Sequence, residues 1–281
     1  MVDELRSALE LATEEELQEL TEILFRRQFN PIDYLAAPAP IDVQSQSREA
    51  WLDAIEDRFR FLAADGLTVL RGQSKQVTYR QSLIQVCRHL KIPYSVDFST
   101  SELEAEVFLS LLNRTWKQLP TSEKGALTVR VKGALADSKL TEQLPASLQK
   151  DPIALFLKGG TALAVSAVLR PVLLQLIARQ FAVHFATYQV ARAAVVKGGT
   201  VAAAQFQNYL ALQTAGRGMA VNAARYGAVR SVFAFLGPAL WTWFLADLGW
   251  RAISTNYGRV IPIVFALAQI RLTRTACFEL A

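Results

Sequence analysis

Charge and polarity change abruptly near residue 151, and this change constrains the fold more than any other feature of the chain. Residues 1–150 carry 22 acidic and 18 basic side chains, whereas residues 151–281 carry 3 acidic and 12 basic ones. Ten of the fourteen glycines also follow residue 150. A coincident shift in charge, glycine content and polarity is typical of a domain boundary. We therefore predict a first domain over residues 1–150 and a second region over residues 151–281.

The first half opens with a clear helix-start signal. Thr13 precedes Glu16 by three residues, which is the pattern of a capping box, in which each side chain accepts from the backbone N–H of the other residue. Apolar residues follow at helical spacing, so an amphipathic helix is predicted over residues 14–28. Two prolines and several small polar residues make residues 35–47 a predicted linker or ordered loop.

The remainder of the first half repeats this pattern of polar caps, apolar stripes and breaks. Further helices are predicted to begin at Ser47, near residue 78, at Ser99 and at Thr121. Val129-Arg130-Val131 is too short to predict a strand. The sequence therefore predicts an all-α fold, in which an N-terminal bundle of five or six helices precedes an apolar, basic helical region rich in glycine and alanine.

Charged side chains almost vanish from the apolar blocks of the second half. Residues 231–246 carry none and have Gly237-Pro238 near their centre, but the block is shorter than the ~20 apolar residues of a transmembrane helix. Arg170 interrupts an earlier block at residues 152–178. An arginine at mid-bilayer adds roughly 2.5–3.5 kcal/mol to the free energy of insertion. No clean transmembrane span is therefore predicted.

Three interpretations of the second half are open. Its helices could lie in the plane of a membrane interface, with arginines towards headgroups and apolar side chains towards acyl chains. A hairpin could instead dip part of the way into the bilayer, with its turn at Gly237-Pro238 and tryptophans near the interface. The third interpretation is a tightly packed soluble helical core, in which small residues let helices approach closely.

Membrane contact is the leading interpretation, and it names two sets of residues. The predicted membrane-contact residues are Phe233, Phe235, Leu236, Gly237, Pro238, Leu240, Trp241, Trp243, Phe244 and Trp250. The predicted headgroup-contact residues are Arg170, Arg179, Arg192, Lys197, Arg225, Arg230 and Arg251. Anionic headgroups attract each exposed Lys or Arg by ~1 kcal/mol near the surface, so even half of the basic residues would add appreciably to apolar insertion.

A four-residue motif recurs in the second half. Lys158-Gly159-Gly160-Thr161 is repeated 39 residues later as Lys197-Gly198-Gly199-Thr200. Each copy follows an apolar stretch, and glycine followed by threonine can end one helix and cap the next. We interpret the motifs as helix breaks, and whether the spacing is a true repeat of a helical hairpin is open.

The residues that most enzymes and metal sites need are scarce. His89 and His184 are the only histidines, and no second cluster of metal ligands accompanies Cys87. No Ser/His/Asp set, zinc-protease motif or phosphate-binding loop has the spacing that its chemistry requires. We therefore predict no catalytic residues, no metal, no cofactor and no enzymatic activity. The glutamates at positions 14–22 are interpreted as a solvated helix face, and His184 as a core histidine.

Nucleic-acid binding and secretion are both disfavoured. The pI is about 9.3, but the basic residues of the second half are separated by apolar runs, whereas nucleic-acid surfaces cluster them on a hydrophilic face. The acidic start of the chain, from Met1 to Leu5, lacks the positive and apolar regions of a secretory signal. We therefore expect a location on the cytoplasmic side, peripheral to a membrane or partly inserted in it.

Several stretches resemble a known family. Residues 72–91 (GQSKQVTYRQSLIQVCRHLK) and the string Asn113-Arg114-Thr115-Trp116-Lys117 resemble the YaaW-like family of uncharacterised bacterial proteins. Arg259-Val260-Ile261-Pro262 is similar to the C-terminal segment of that family, whereas residues 151–258 match it in character only. Some members are described as ubiquinol–cytochrome c chaperone-like. The resemblance implies a bacterial helical protein and supplies no catalytic residues.

The leading hypothesis is a membrane-associated helical protein with two parts. Residues 1–150 would form a slightly acidic soluble adaptor, and residues 151–281 would contact lipid with anionic headgroups. The alternative is a soluble assembly factor or chaperone-like scaffold that binds a protein partner. An enzyme on an unfamiliar helical scaffold is a third interpretation, and it requires a pocket where several titratable groups converge.

Overall fold

In the part of the chain that the structure describes, the fold is built from helices. A computed structural model describes residues 4–26, 37–137, 149–153, 172–181, 184 and 256–274. Within these residues there is no strand, and the all-α prediction is confirmed. The helices are α1 (Glu4–Glu10), α2 (Glu14–Phe25), α3 (Pro40–Gln44), α4 (Arg48–Ala63), α5 (Gly66–Leu70), α6 (Tyr79–Leu90), α7 (Thr100–Gln118), α8 (Thr121–Asp137) and α9 (Tyr257–Arg274), with a 3-10 helix at Ser74–Gln76. The segment 172–181 is also helical.

Local capping explains where the long helices begin. The predicted capping box of α2 is confirmed, because the Thr13 hydroxyl accepts from the N–H of Glu16 and the Glu16 carboxylate accepts from the N–H of Thr13 at 2.9 Å. Thr78 and Gln81 form the same arrangement at α6, and α7 begins in the same way. Ser47 caps α4, as predicted. These side chains satisfy backbone donors that have no partner within the helix.

Two short helices differ from the sequence prediction. Part of the predicted linker at 35–47 forms α3, because Pro40 stands at the start of the helix, where a missing N–H is harmless, and Val43 is buried. α4 ends at Ala63, and Asp65 then caps α5, a helix that was not predicted, by accepting from the N–H of Thr68. Residues 4–137, where described, therefore hold eight α-helices rather than five or six.

α9 lies at the centre of the bundle, although it comes from the far end of the chain. Every residue from Arg259 to Ile270 is buried. A helix that is buried on all faces is surrounded by protein, and α9 contacts α1, α2, α4, α6 and α7. Phe265 stacks on Phe108 of α7, with ring centroids 5.0 Å apart. The apolar run 261–270, which we expected in the lipid-contacting region, is thus covered by protein.

Contacts at both ends of α9 define how its neighbours run. Tyr257, at the start of α9, stacks on His89 near the end of α6, and Arg271, near the end of α9, pairs with Glu104 near the start of α7. Tyr79, the first residue of α6, also contacts Glu104. α6 and α7 therefore run parallel to each other and antiparallel to α9.

The segment 172–181 also packs against the bundle. Its last residue, Phe181, lies against Trp116 of α7, with ring centroids 6.2 Å apart. The side-chain amide of Gln269 in α9 donates to the carbonyl of Ala178 at 3.0 Å. Two parts of the predicted second region, this segment and α9, therefore share one hydrophobic core with the first half.

Phe265→Ala is predicted to destabilise the protein by about 3–5 kcal/mol, because it removes a buried ring and leaves a cavity between α7 and α9. The matched control is Leu70→Ala, because Leu70 of α5 is 84% exposed and its truncation should change stability by no more than about 0.5 kcal/mol. Equilibrium unfolding in urea measures both effects. Equally small effects of the two substitutions would show that α9 is not part of the core.

Candidate functional site

Three arginines of α9 make the polar contacts that join the two ends of the chain. Arg259 lies near the start of the helix, and Arg271 and Arg274 lie near its end. Each of them bonds backbone carbonyls of the N-terminal helices, and the last two also meet buried carboxylates. These α9 arginines hold two buried carboxylates, Glu16 and Glu104, inside the described part of the bundle, and so they and their partners are the candidate site.

Arg271 belongs to a buried group that is centred on Glu104. The Glu104 carboxylate accepts a hydrogen bond from the Tyr79 hydroxyl at 2.6 Å, and Arg271 Nε lies 3.0 Å from its other oxygen. Arg271 also donates to the backbone carbonyl of Glu4 at 2.7 Å, and the Glu4 carboxylate accepts from the hydroxyl of Thr100 at 2.8 Å. The group therefore connects α1, α6, α7 and α9 around one carboxylate.

Burial controls the protonation of this group. Removal from water raises the pKa of Glu104 above its ordinary value, while the charge of Arg271 and the hydrogen bond from Tyr79 oppose that rise. Removal from water, reinforced by the Glu104 charge, also raises the pKa of Tyr79 well above its ordinary value. Tyr79 therefore keeps its proton at physiological pH and remains a hydrogen-bond donor.

Arg274 makes a second buried contact, with Glu16. One nitrogen of its guanidinium lies 2.7 Å from Glu16 Oε2, a second donates to Oε1 at 2.9 Å, and the group also donates to the carbonyl of Leu11. Burial raises the pKa of Glu16, and Arg274 and the capping bond with Thr13 oppose the rise. The interpretation of Glu16 as part of a solvated face is wrong: its side chain is 1% exposed, because it both caps α2 and pairs with Arg274.

Arg259 binds the C-terminal end of α2. It donates to the carbonyl of Leu24 at 3.2 Å and to that of Arg26 at 2.6 Å, and Arg58 of α4 donates to the same Leu24 carbonyl at 3.2 Å. The last carbonyls of a helix have no partners within it, and cations near them are also favoured by the helix dipole. Arg259 and Arg58 therefore stabilise the end of α2 together.

The chemistry of this arrangement is the stabilisation of charge inside a helical bundle. Glu16 and Glu104 each face an arginine, and the Tyr79 hydroxyl is committed to Glu104. A buried ion pair adds little stability relative to apolar packing, but loss of one partner is strongly destabilising. The α9 arginines therefore penalise any packing in which the last helix separates from the first two.

His184 is a buried core histidine, as predicted. Its side chain is 6% exposed, and its Nε2 lies 3.0 Å from Glu123 Oε2 in α8. Burial lowers the pKa of His184, Glu123 opposes the change, and the positive charge of Arg130 reinforces it. The neutral imidazole therefore predominates at neutral pH, and the contact attaches residue 184 to the first turn of α8.

Most of the predicted lipid-contacting residues lie outside the described part of the chain. This applies to all ten membrane-contact residues, to both Lys-Gly-Gly-Thr motifs and to six headgroup-contact residues, namely Arg170, Arg192, Lys197, Arg225, Arg230 and Arg251. Arg179 is described; it is exposed and donates to the carbonyl of Thr273 in α9 at 3.4 Å. Arg179 therefore has a protein contact, and the roles of the other residues stay predictions.

Two absences hold for the described residues. No helix among them is both long enough and apolar enough to cross a bilayer. In the same part of the chain, no group of three or more histidine, cysteine or carboxylate side chains could hold a metal ion. Cys87 is buried there, and burial raises the pKa of its thiol to about 11, so it stays protonated at neutral pH.

Sequence reasoning missed the partners of the α9 arginines. Arg274 and Glu16 are 258 residues apart, and no local pattern links them. One signal in the sequence did point to a buried charge. Glu104 directly follows Leu103, and both residues lie on the buried face of α7. A buried charge requires a partner, but a single sequence does not identify that partner.

Comparison with known proteins supplies no relative. No protein-family model, no curated protein and no solved structure matches the chain. The resemblance of residues 72–91 and 113–117 to the YaaW-like family therefore stays a prediction.

Arg271→Met is predicted to destabilise the protein by about 3 kcal/mol, because it leaves the Glu104 charge buried without a partner. Arg179→Met is the matched control, since it removes an exposed arginine and should change stability by no more than about 0.5 kcal/mol. Adding Glu104→Gln to Arg271→Met should restore most of the loss, because the amide needs no counter-charge and can still accept from Tyr79. Urea unfolding of the wild type, the two single variants and the double variant measures these effects. A double variant no more stable than Arg271→Met would contradict the pairing of Arg271 with a charged Glu104.

The destabilisation by Arg271→Met should also depend on pH. Because the folded pKa of Glu104 is raised above its ordinary value of 4.5, its contribution to stability is fully present below that pH and is lost as the pH rises through the folded pKa. Removal of Arg271 raises that pKa further, so the penalty should be small near about pH 4 and large near about pH 7. Unfolding measured across this range tests the sign, and a penalty that is constant with pH would contradict it.

Proposed function

We propose that the protein associates with a membrane through residues 185–255, and that its helical bundle is a soluble adaptor held at the membrane surface. The observation that carries this proposal is that the bundle holds both flanks of the stretch. His184 pairs with Glu123 at 3.0 Å, and the backbone N–H of Asn256 donates to the carbonyl of Leu62 at 2.9 Å. Residues 185–255 are thus an insertion between two elements of the bundle.

The composition of residues 185–255 supports contact with an anionic membrane. The stretch contains six basic residues and one acidic residue, and the rest of the chain contains 24 of each sign, so the stretch accounts for the whole net charge of +5. It also contains the uncharged block 231–246 and three of the five tryptophans. Basic residues attract anionic headgroups, and tryptophan favours the membrane interface. A peripheral or partly inserted segment on the cytoplasmic side fits this combination.

Packing in the bundle narrows the proposed lipid-contacting region. The α9 run 261–270 is buried, and the segment 172–181 packs against α7 and α9. These parts of the second half have protein partners, so we assign lipid contact to residues 185–255 and leave the last helix to the bundle.

A soluble scaffold that binds a protein partner is the alternative, and α5 favours it. Leu67 and Leu70 of this short helix are 66% and 84% exposed. Exposed apolar side chains that lie together are a feature of protein-docking surfaces. A scaffold of this kind would be monodisperse without detergent and would not bind vesicles.

The tryptophans allow a direct test of the proposal. Trp51 and Trp116 lie in the bundle, whereas Trp241, Trp243 and Trp250 lie in residues 185–255. A variant with both bundle tryptophans changed to phenylalanine reports on the proposed lipid segment. Its fluorescence should be quenched by phosphatidylglycerol vesicles with brominated acyl chains, because bromine quenches only fluorophores that reach the acyl region.

The matched control changes the other three tryptophans to phenylalanine, so that only the bundle fluoresces. Brominated vesicles should leave this emission unchanged, and vesicles without bromine should quench neither variant. Absence of quenching in the first variant, together with failure of the wild-type protein to float with anionic vesicles at low salt, would refute membrane association and favour the scaffold.

A further inference from the structure

We propose that the bundle carries its own binding surface for anionic lipid headgroups, at the C-terminal end of α6 and the adjacent part of α7. We call it the basic surface, and it consists of Arg88, His89, Lys91, Arg114 and Lys117. The inference rests on the proposed function, because it concerns the same membrane that residues 185–255 would contact. None of these five residues was among the predicted headgroup contacts.

Contacts between α6 and α7 bring the side chains of the basic surface together. Arg114 donates to the carbonyl of Leu90 at 3.1 Å, and Leu90 lies between His89 and Lys91 in the chain. Arg114 is also close enough to His89 for its charge to reinforce the lowering of the His89 pKa that partial burial produces. Residues from two helices therefore form one positively charged area.

The basic surface is exposed, and the chain around it has one sign of charge. Arg88, Lys91 and Lys117 are all exposed. Neither residues 81–96 nor residues 107–122, which contain the basic surface, include an aspartate or a glutamate. Cations without acidic neighbours in the chain retain their attraction for external anions.

Three carboxylates lie next to these stretches. The exposed Asp97, which follows the first stretch, accepts from the Ser95 hydroxyl at 3.4 Å. Glu106 precedes the second stretch, but it is 4% exposed and its charge acts on buried Cys87. Glu123 follows that stretch and lies 3.0 Å from His184. Glu106 and Glu123 therefore act on groups other than the cations of the basic surface.

The basic surface adjoins the point where residues 185–255 rejoin the bundle. His89 stacks on Tyr257, with ring centroids 3.9 Å apart and planes 14° apart. Asn256, the residue before Tyr257, is fixed by its bond to Leu62. A membrane in contact with the end of residues 185–255 is therefore also near Arg88 and Lys91.

The exposed cations of the basic surface are spread over an area, and such an arrangement favours a ligand with many anionic groups, such as a membrane surface. Each exposed Lys or Arg near an anionic membrane adds a separate attraction, and the total does not require one anion at one point. Continuity with residues 185–255 places such a membrane beside this face of the bundle. Anionic lipid headgroups are therefore the ligand that we assign to the basic surface.

The experiment removes three exposed cations of the surface and leaves Arg114, because Arg114 bonds the Leu90 carbonyl. The variant is Arg88→Gln, Lys91→Asn and Lys117→Gln, with asparagine at 91 because the φ of Lys91 is 57° and asparagine tolerates this conformation. At low salt, binding to vesicles of equal parts phosphatidylcholine and phosphatidylglycerol should weaken about fivefold per cation, or about a hundredfold in all.

A matched control removes the same charge from other exposed positions of the described chain, through Arg71→Gln, Lys132→Gln and Lys150→Gln. Its binding should weaken by less than about fivefold in total, because these residues do not belong to the basic surface, and exposed charges more than a Debye length from the headgroups are screened. Circular dichroism and urea unfolding should match the wild type for both variants. If the first variant is less stable than the wild type, Lys91→Asn alone replaces it, and about a fivefold loss is expected.

The outcomes separate this inference from the proposed function. If the wild-type protein does not bind the anionic vesicles, both proposals fail. If the wild type binds and the two variants weaken equally, the inference fails while the proposed function stands. Competition by inorganic phosphate at the concentration of lipid phosphate would identify a site for free anions and would overturn the assignment to headgroups.

Discussion

The burial of α9 inside the bundle is the constraint on which the rest of the structure depends. Its apolar side chains fill the space between the surrounding helices, and two of its arginines, Arg271 and Arg274, meet carboxylates that those helices bury. Without α9, Glu16 and Glu104 would be left without their charge partners, and the end of α2 would lose the bonds from Arg259. α2, α7 and α9 are therefore held together as one unit, although α9 is distant in sequence from the other two.

Local features of this fold were predictable, and long-range ones were not. The starts of α2, α4, α6 and α7 follow from side chains within three residues of each helix end, such as Thr13 with Glu16. The short helices α3 and α5 contain too few residues for an apolar period to be recognised. The position of α9 was missed because a central helix and a lipid-contacting helix have the same apolar composition. Glu16 stands among exposed glutamates, and although its capping role was predictable, its pairing with the distant Arg274 was not.

The same ambiguity explains why function is harder to derive than fold. The candidate site, formed by the α9 arginines and their partners, stabilises the packing of the bundle. The residues expected to contact lipid, in contrast, fall mainly in 185–255. The bundle holds that stretch at both flanks, through His184 on α8 and Asn256 on α4. These two attachments restrict the orientation of the bundle relative to residues 185–255 more than a single attachment would. A membrane-bound insertion would therefore present one particular face of the bundle to the lipid, and the basic surface adjoins one of the two attachments.

The central position of the last helix also sets an order of events during synthesis. The ribosome completes α8 and then makes residues 138–256 before α9 exists. At about 5–20 residues per second, this interval lasts on the order of ten seconds. During this interval the N-terminal helices lack α9, which fills their core. The apolar residues 185–255 are synthesised in the same interval. A nascent chain of this protein would thus expose its apolar residues for this interval, before α9 could complete the core of the bundle.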